Sequence, residues 1–283
     1  MSRVFLTECP RDAMQGIKTF IPTDVKVKYL QSLLRVGYDI LDFGSFVSPK
    51  VIPQMRDTHE VIKQLDLSET RTKLLAIVAN ERGATEALSY DQISYIGYPF
   101  SISENFQMRN TNTTIEESLL LLNRLVERAV GVNQELVVYL SMGFGNPYGD
   151  PWSPALVADW VKRLVDIGVN RISLSDTVGL AQADTIRELF EYLNMVHPDV
   201  FFGAHLHAKP NEAISKIKAA YAGGCRAFDS AIRGLGGCPM AKDSLTGNVP
   251  TEKLLSFLTA QKSEFSVNML HFEAAYNTSL QIC

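Results

Sequence analysis

His205-Leu206-His207 closes an apolar run that begins Phe201-Phe202-Gly203-Ala204. Side chains alternate along a β-strand, so residues two apart point to one face, about 6.8 Å apart along the chain. Two imidazoles aimed together can share a metal ion. Pro198 before the run and Lys209-Pro210-Asn211 after it place the pair at the strand's C-terminal mouth. Asp12 offers a carboxylate and Asn248 an amide oxygen, which makes Asp12, His205, His207 and Asn248 a mixed oxygen and nitrogen set. Such a set suits a divalent ion in roughly octahedral geometry with open positions, Mg2+, Mn2+ or Co2+, with Fe2+ also compatible. Structural zinc would call for sulfur.

Around this set stand groups that can move charge or protons. Arg11 carries an always-charged fork that can hold a carboxylate or stabilise an oxyanion. Asp42 and Asp176 each read in two ways, as a proton-transfer carboxylate or as a partner that orients a neighbour. Gly234-Leu235-Gly236-Gly237-Cys238-Pro239 combines a permissive backbone with a thiol, and Arg233 or a bound ion could favour the thiolate of Cys238. The plain alternative is a turn with a buried cysteine. Cys9 and Cys225 lie beside apolar segments and read as core. His59, His197 and His271 read as surface or core residues.

The elements that would position these groups repeat as strand then helix. Eight β-branched or aromatic runs are followed by turn or capping residues: Val4 to Glu8, Ile40 to Ser45, Lys73 to Ala79, Ile93 to Pro99, Leu136 to Ser141, Arg171 to Asp176, Val200 to His207, and Ala227 to Arg233. Helical spacing appears between them, as in Val27, Leu30, Leu33 and Leu34, in Leu119, Leu122, Leu125 and Val126, and in Ile186, Leu189, Phe190 and Leu193. Thr114 with Glu117 has capping-box spacing, and Ser153-Pro154 opens another helix. Eight such units within 283 residues predict an α/β protein with a (β/α)8 TIM barrel. The expected organisation is one catalytic domain over residues 1–283, with the barrel at about 4–260. A C-terminal amphipathic helix at about 264–281, anchored by Phe265, Leu270, Phe272 and Leu280, would pack beneath the barrel or across a subunit interface. Barrel enzymes work at the C-terminal ends of their strands, where the residues named above fall.

Composition excludes several classes. Net charge is −4 with no dense Lys/Arg cluster, so neither nucleic acid nor an anionic membrane surface is an expected partner. No run approaches the roughly 20 apolar residues of a membrane span, and the first residues leave no room for a signal peptide's apolar core, so the expected location is cytoplasmic. Four cysteines without Cys-x-x-Cys spacing suit a reducing compartment.

Four stretches together resemble the 3-hydroxy-3-methylglutaryl-CoA lyase family of metal-dependent lyase and Claisen-synthase barrels. They are Pro10-Arg11-Asp12 with Gln15, Ser45-Phe46-Val47-Ser48-Pro49-Lys50 with Pro53-Gln54-Met55, Ser173-Leu174-Ser175-Asp176-Thr177-Val178-Gly179, and the Gly234 to Pro239 loop followed by Gly247-Asn248. The resemblance runs from about Val4 to Asn277. It implies retro-Claisen cleavage of 3-hydroxy-3-methylglutaryl-CoA to acetyl-CoA and acetoacetate, a step of leucine degradation. Mg2+ or Mn2+ would be held by Asp12, His205, His207 and Asn248. Arg11 would stabilise the enolate, Cys238 would take part in proton transfer, and Asp42, Asp176 and His205 would be further catalytic groups. Arg11, Gln15 and Ser45 would contact substrate, and the enzyme would be a homodimer. The chain departs from the family pattern in Ala208-Lys209-Pro210-Asn211 after the histidines, in Thr7-Glu8 before the Arg-Asp pair, and in the short Asp42. Two alternatives therefore stand beside the leading reading. One is a related lyase, aldolase or condensing enzyme on another 3-hydroxyacyl-CoA or a 2-oxo acid; the other is a catalytically weak ligand-binding relative.

Overall fold

The computed structural model describes residues 3–237 and 246–282. Eight parallel strands, β1 (Phe5–Glu8), β2 (Ile40–Ser45), β3 (Lys73–Ile77), β4 (Ile93–Ser101), β5 (Glu135–Ser141), β6 (Arg171–Asp176), β7 (Phe201–Ala208) and β8 (Ala227–Ser230), pair in chain order. The β8–β1 and β6–β7 pairings close them into a barrel, with the helices outside. All eight expected strands are present. β8 stops at Ser230 rather than reaching Arg233, because Ile232–Gly234 turns into a 3-10 helix in which Arg233 has φ +65°. A ninth strand, β9 (Gly247–Asn248), was not anticipated; it pairs antiparallel with β7 and sets Asn248 opposite His207.

Period-two alternation divides the strand residues between two cores. One set, including Leu6, Leu41, Leu74, Val138 and Leu174, is buried against the helices. The alternate set, Ile40, Leu75, Ile77, Val137 and Tyr139, packs together separately. Gly97 on β4 makes room for this second cluster: a Cβ there would sit 2.5 Å from Ile77 Cδ1 and 2.9 Å from the Tyr139 ring. The helices bury the stripes that their spacing foretold. Ile186, Leu189, Phe190 and Leu193 of the helix Ala183–Val196 are fully buried, each contributing about 1.5–3 kcal/mol over an exposed position. The capping box of Thr114 and Glu117 forms at the start of Ile115–Gly131.

The tail helix runs Met269–Ser279, shorter than expected, and packs against the helix Thr23–Leu34. Its anchors are Phe272 and Ala275, whereas Leu270 and Leu280 are 74% and 56% exposed. Leu270 lies about 200° around the helix from Phe272, so both cannot face the same neighbour. Backbone bonds from Val4 to Glu264 and from Asn268 to Val36 tie the preceding segment to the N-terminal side of the barrel. No helix among the described residues is long and apolar enough to cross a membrane.

Candidate active site

β1 ends at Glu8, and Pro10 immediately starts a short helix, Pro10–Gln15. Proline suits a first helical turn because its missing N–H would have no partner there. This turn carries Arg11 and Asp12 off the C-terminal end of the strand, both buried. Arg11 Nε donates to both oxygens of Asp42 at 3.2 and 3.0 Å, and its Nη2 donates to Asp42 Oδ2 at 2.6 Å. Its Nη1 reaches Asp12 Oδ1 at 3.2 Å and Gln15 Oε1 at 2.8 Å. Gln15 Nε2 donates in turn to Asp12 Oδ1 at 2.6 Å.

The two carboxyls that share this arginine titrate apart. Burial pushes Asp42 up to about 6 despite Arg11. Burial also acts upward on Asp12, but Arg11, both imidazoles and the Asn248 amide outweigh it and hold Asp12 at about 2. Asp12 is thus ionised at neutral pH, the form in which a carboxyl can ligate a metal.

His205 and His207 share a face of β7, with ring centroids 5.1 Å apart. His207 Nδ1 lies 2.8 Å from the Thr177 carbonyl oxygen, so that nitrogen carries the proton and donates. Its Nε2 is then a buried lone pair with no hydrogen-bond partner, 3.9 Å from Asp12 Oδ2. His205 Nδ1 faces Asp229 Oδ2 on β8 at 3.1 Å, and Ser173 Oγ donates to the same oxygen at 3.0 Å. Burial lowers the pKa of His205, but the Asp229 hydrogen bond and charge, with Asp12, raise it overall; burial and His205 lower that of His207. Ligand atoms of Asp12, His205 and His207 all lie within 4.8 Å of one another. A carbonyl or carboxylate on Nδ1 that leaves Nε2 to face a carboxylate is how proteins orient histidine for a metal, so these residues fit a divalent cation.

Asn248 reaches the same point through β9. Its Nδ2 donates to Asp12 Oδ2 at 2.6 Å and to the Leu235 carbonyl at 2.8 Å. The amide is therefore at the site, but its nitrogen, not the expected oxygen, faces Asp12. Presenting the oxygen requires the amide to turn.

A cavity of about 360 Å³ opens beside this cluster, lined by Arg11, Asp12, Gln15, Tyr139, His205 and His207, with Val47, Ile52, Phe106 and Arg109 among its other walls. Four described residues expected at the site do not line it; Asn248 touches Asp12 from behind the cavity wall, and the other three take structural partners. The Ser45 hydroxyl donates to Ile77 O at 3.3 Å and accepts from Val47 N at 3.1 Å, so it shapes the loop after β2. Asp42 stands behind Arg11, which favours the orienting reading. Asp176 binds Lys216 Nζ at 2.6 Å and accepts the Ala181 N–H at 3.1 Å. Lys216 also donates to His207 O at 2.9 Å and Gly179 O at 3.0 Å, so Asp176 reaches the His207 backbone through this lysine. Cys238 lies outside the described residues.

Asp229, Tyr139 and Lys216 are not singled out by the sequence, and Thr177 appears there only within the stretch that ends β6, without a role. Asp229 and Lys216 stand apart, because each left a signal. Asp229 is an acid inside the strand Ala227–Ser230, and Lys216 occupies the buried stripe of Ala213, Ile217 and Ala220. A charge on a core face calls for a partner.

A family model described as HMGL-like matches residues 4–278. The chain belongs to the HMGL-like family. Among its relatives, the human protein named 3-hydroxy-3-methylglutaryl-CoA lyase, cytoplasmic, is 32% identical over 262 residues, covering 92% of this chain and 70% of that protein. The structure of the HMG-CoA lyase from Brucella melitensis superposes with a TM-score of 0.91 at 29% identity, covering 99% of this chain and 98% of that one. An HMG-CoA lyase from Acinetobacter baumannii, solved with coenzyme A and 3-methylmalate, superposes with a TM-score of 0.90 at 26% identity over 99% and 91% of the two chains.

Proposed function

We propose that this member of the HMGL-like family is a divalent-metal-dependent lyase that cleaves 3-hydroxy-3-methylglutaryl-CoA to acetyl-CoA and acetoacetate. The carrying observation is the buried, partnerless His207 Nε2 facing Asp12 beside a cavity that also holds Arg11. The names of its relatives support the substrate, and the coenzyme A bound to the Acinetobacter protein supports an acyl-CoA. A role in leucine degradation follows from that substrate, and the human relative's name supports a cytoplasmic location.

Asp12, His205 and His207, with Asn248 once its amide turns, would hold Mg2+ or Mn2+, with Co2+ as a further candidate. When bound, the ion supplies a Lewis acid and a template for substrate oxygens. In the reaction the tertiary hydroxyl loses its proton and the carbon–carbon bond beside it breaks. The bonding electrons pass into the thioester as an enolate, acetoacetate departs, and the enolate carbon takes a proton to give acetyl-CoA. Arg11, held rigid by Asp42, is placed to stabilise the enolate oxygen, and fixed donors of this kind contribute because they need no reorganisation during reaction. His205 is the cavity residue best built to accept the hydroxyl proton, because Asp229 supports its charged form. Cys238 remains the candidate donor to the enolate carbon, on the sequence of its loop.

The same imidazole thus has two candidate tasks, and His205→Asn separates them: loss of metal marks a ligand, loss of turnover with metal retained marks a base. Metal content of the unsubstituted chain against His207→Ala tests the site itself. Equal metal in both, or none in either, would remove the metal reading. The Ala208-Lys209-Pro210 departure favours one second reading, a related 3-hydroxyacyl-CoA on the same metal, which substrate profiling resolves. The exposed Met269, Leu270 and Leu280 of the tail support a homodimer, measured by light scattering.

A further inference from the structure

Glu8 takes no part in the cavity, yet it is a fully buried acid at the end of the strand that leads to Asp12. Its Oε1 accepts the Ile232 N–H at 2.7 Å, and its Oε2 meets Thr251 Oγ1 at 2.6 Å. Ile232 and Thr251 stand on either side of the segment that carries β9 and Asn248. Backbone bonds join the same two places: Ala231 N to Val249 O at 3.0 Å, and Thr251 N to Ala231 O at 3.1 Å. The incoming arm also rests on the Asp12 turn, where a Cβ on Gly236 would lie 2.4 Å from the Asp12 carbonyl oxygen.

We infer that Glu8 is a positioning residue for the metal site: one carboxyl fixes both arms of the Asn248 segment to the strand that presents Asp12. Two candidate ligands 236 positions apart in the chain are thereby held in register, as the Asn248 to Asp12 bond of 2.6 Å reflects. This rests on the reading that Asp12 and Asn248 hold the ion. Hydrogen-bond bookkeeping shows what the position needs. Thr251 Oγ1 lies close to both Glu8 Oε2 and Ser230 Oγ, at 2.6 and 2.9 Å, but has one proton to give. A neutral carboxylic acid donating to Thr251 frees that proton for Ser230 and still accepts from Ile232. Burial favours this form by pushing Glu8 up to about 8. A glutamine reproduces the pattern, with its amide N–H donating to Thr251 and its oxygen accepting from Ile232, whereas alanine leaves the Ile232 N–H without its acceptor and Thr251 with Ser230 alone.

The test is Mn2+ affinity, by paramagnetic resonance of free Mn2+, for the unsubstituted chain, Glu8→Gln, Glu8→Ala and Thr251→Val, with thermal melts alongside. Glu8→Gln is expected within about twofold of the unsubstituted chain, and Glu8→Ala and Thr251→Val weaker by about tenfold, the usual cost of losing a group that orients a ligand. Glu8→Ala added to Asn248→Ala should cost little further, because both remove the same ligand, whereas a purely structural role would give additive losses. If Glu8→Ala does not fold, Thr251→Val carries the comparison. Unchanged Mn2+ binding by the folded alanine or valine variant overturns the inference alone. No binding by the unsubstituted chain overturns the metal reading and the inference with it.

Discussion

Replacing Lys216 by Met should destabilise the protein substantially and loosen the proposed metal site, although Lys216 itself does not line the cavity. Lys216 and Asp176 expose only 4% and 3% of their side chains and meet at 2.6 Å. Removing one partner of such a buried pair costs about 3–5 kcal/mol, because the remaining charge keeps its desolvation penalty and loses its compensation. With an unfolding entropy of about 2.1 cal/mol/K per residue, 283 residues give about 0.6 kcal/mol/K, so Tm should fall by about 5–8 °C. The carbonyls of Gly179 and His207 also lose a donor. Asp176→Leu with Lys216→Met should recover about half of the loss, since the charge goes but the carbonyls stay bereft. Calorimetry gives the stabilities and Mn2+ titration the coupling to His207. Asp176→Asn then separates two roles: a reacting carboxylate would lose turnover at full stability, whereas a positioning one loses stability and metal affinity together, as Lys216→Met does. A drop below about 1 kcal/mol for Lys216→Met, with normal metal binding, would refute the reasoning.

Other outcomes follow from the same geometry. Asp229→Asn should weaken metal binding by about 10–100-fold, because His205 loses the carboxylate that fixes its ring; isothermal titration checks this. Arg11→Lys should lower kcat by about 100-fold with a smaller change in KM, since lysine cannot span Asp42, Asp12 and Gln15 at once; steady-state kinetics would show it. Glu8 has its folded pKa raised to about 8 from an ordinary 4.5. Its stabilising contribution is therefore fully present below about 4.5 and is lost as pH rises towards 8, by up to about 1.4 kcal/mol per pH unit. Urea unfolding of the unsubstituted chain and Glu8→Gln at pH 5, 6.5 and 8 should show this slope only where the carboxyl is present, and identical slopes would contradict it.

The barrel was legible because each strand is a short β-branched run at the right period, and because caps such as Thr114 and Ser153 mark helix starts without tertiary help. Asp12, His205 and His207 were legible for a related reason: strand ends are where barrels keep polar residues, and alternation puts both imidazoles on one face. What escaped depends on partners distant in sequence. Nothing local to Asp176 reveals Lys216, forty positions away, so the sequence leaves its proton-transfer and orienting readings both open. Nothing around Asn248 foretells a two-residue antiparallel strand, since its order comes from β7 and not from its own propensity. Leu270 and Leu280 misled because apolar character without strict helical phase does not define a buried face.

The most direct test of the account is product formation from 3-hydroxy-3-methylglutaryl-CoA by the metal-loaded enzyme, with acetoacetate and acetyl-CoA quantified before and after EDTA. Equimolar release of the two products with Mg2+ or Mn2+, abolished by EDTA and restored by added metal, is the predicted result; no acetoacetate with any divalent metal at any pH would contradict it.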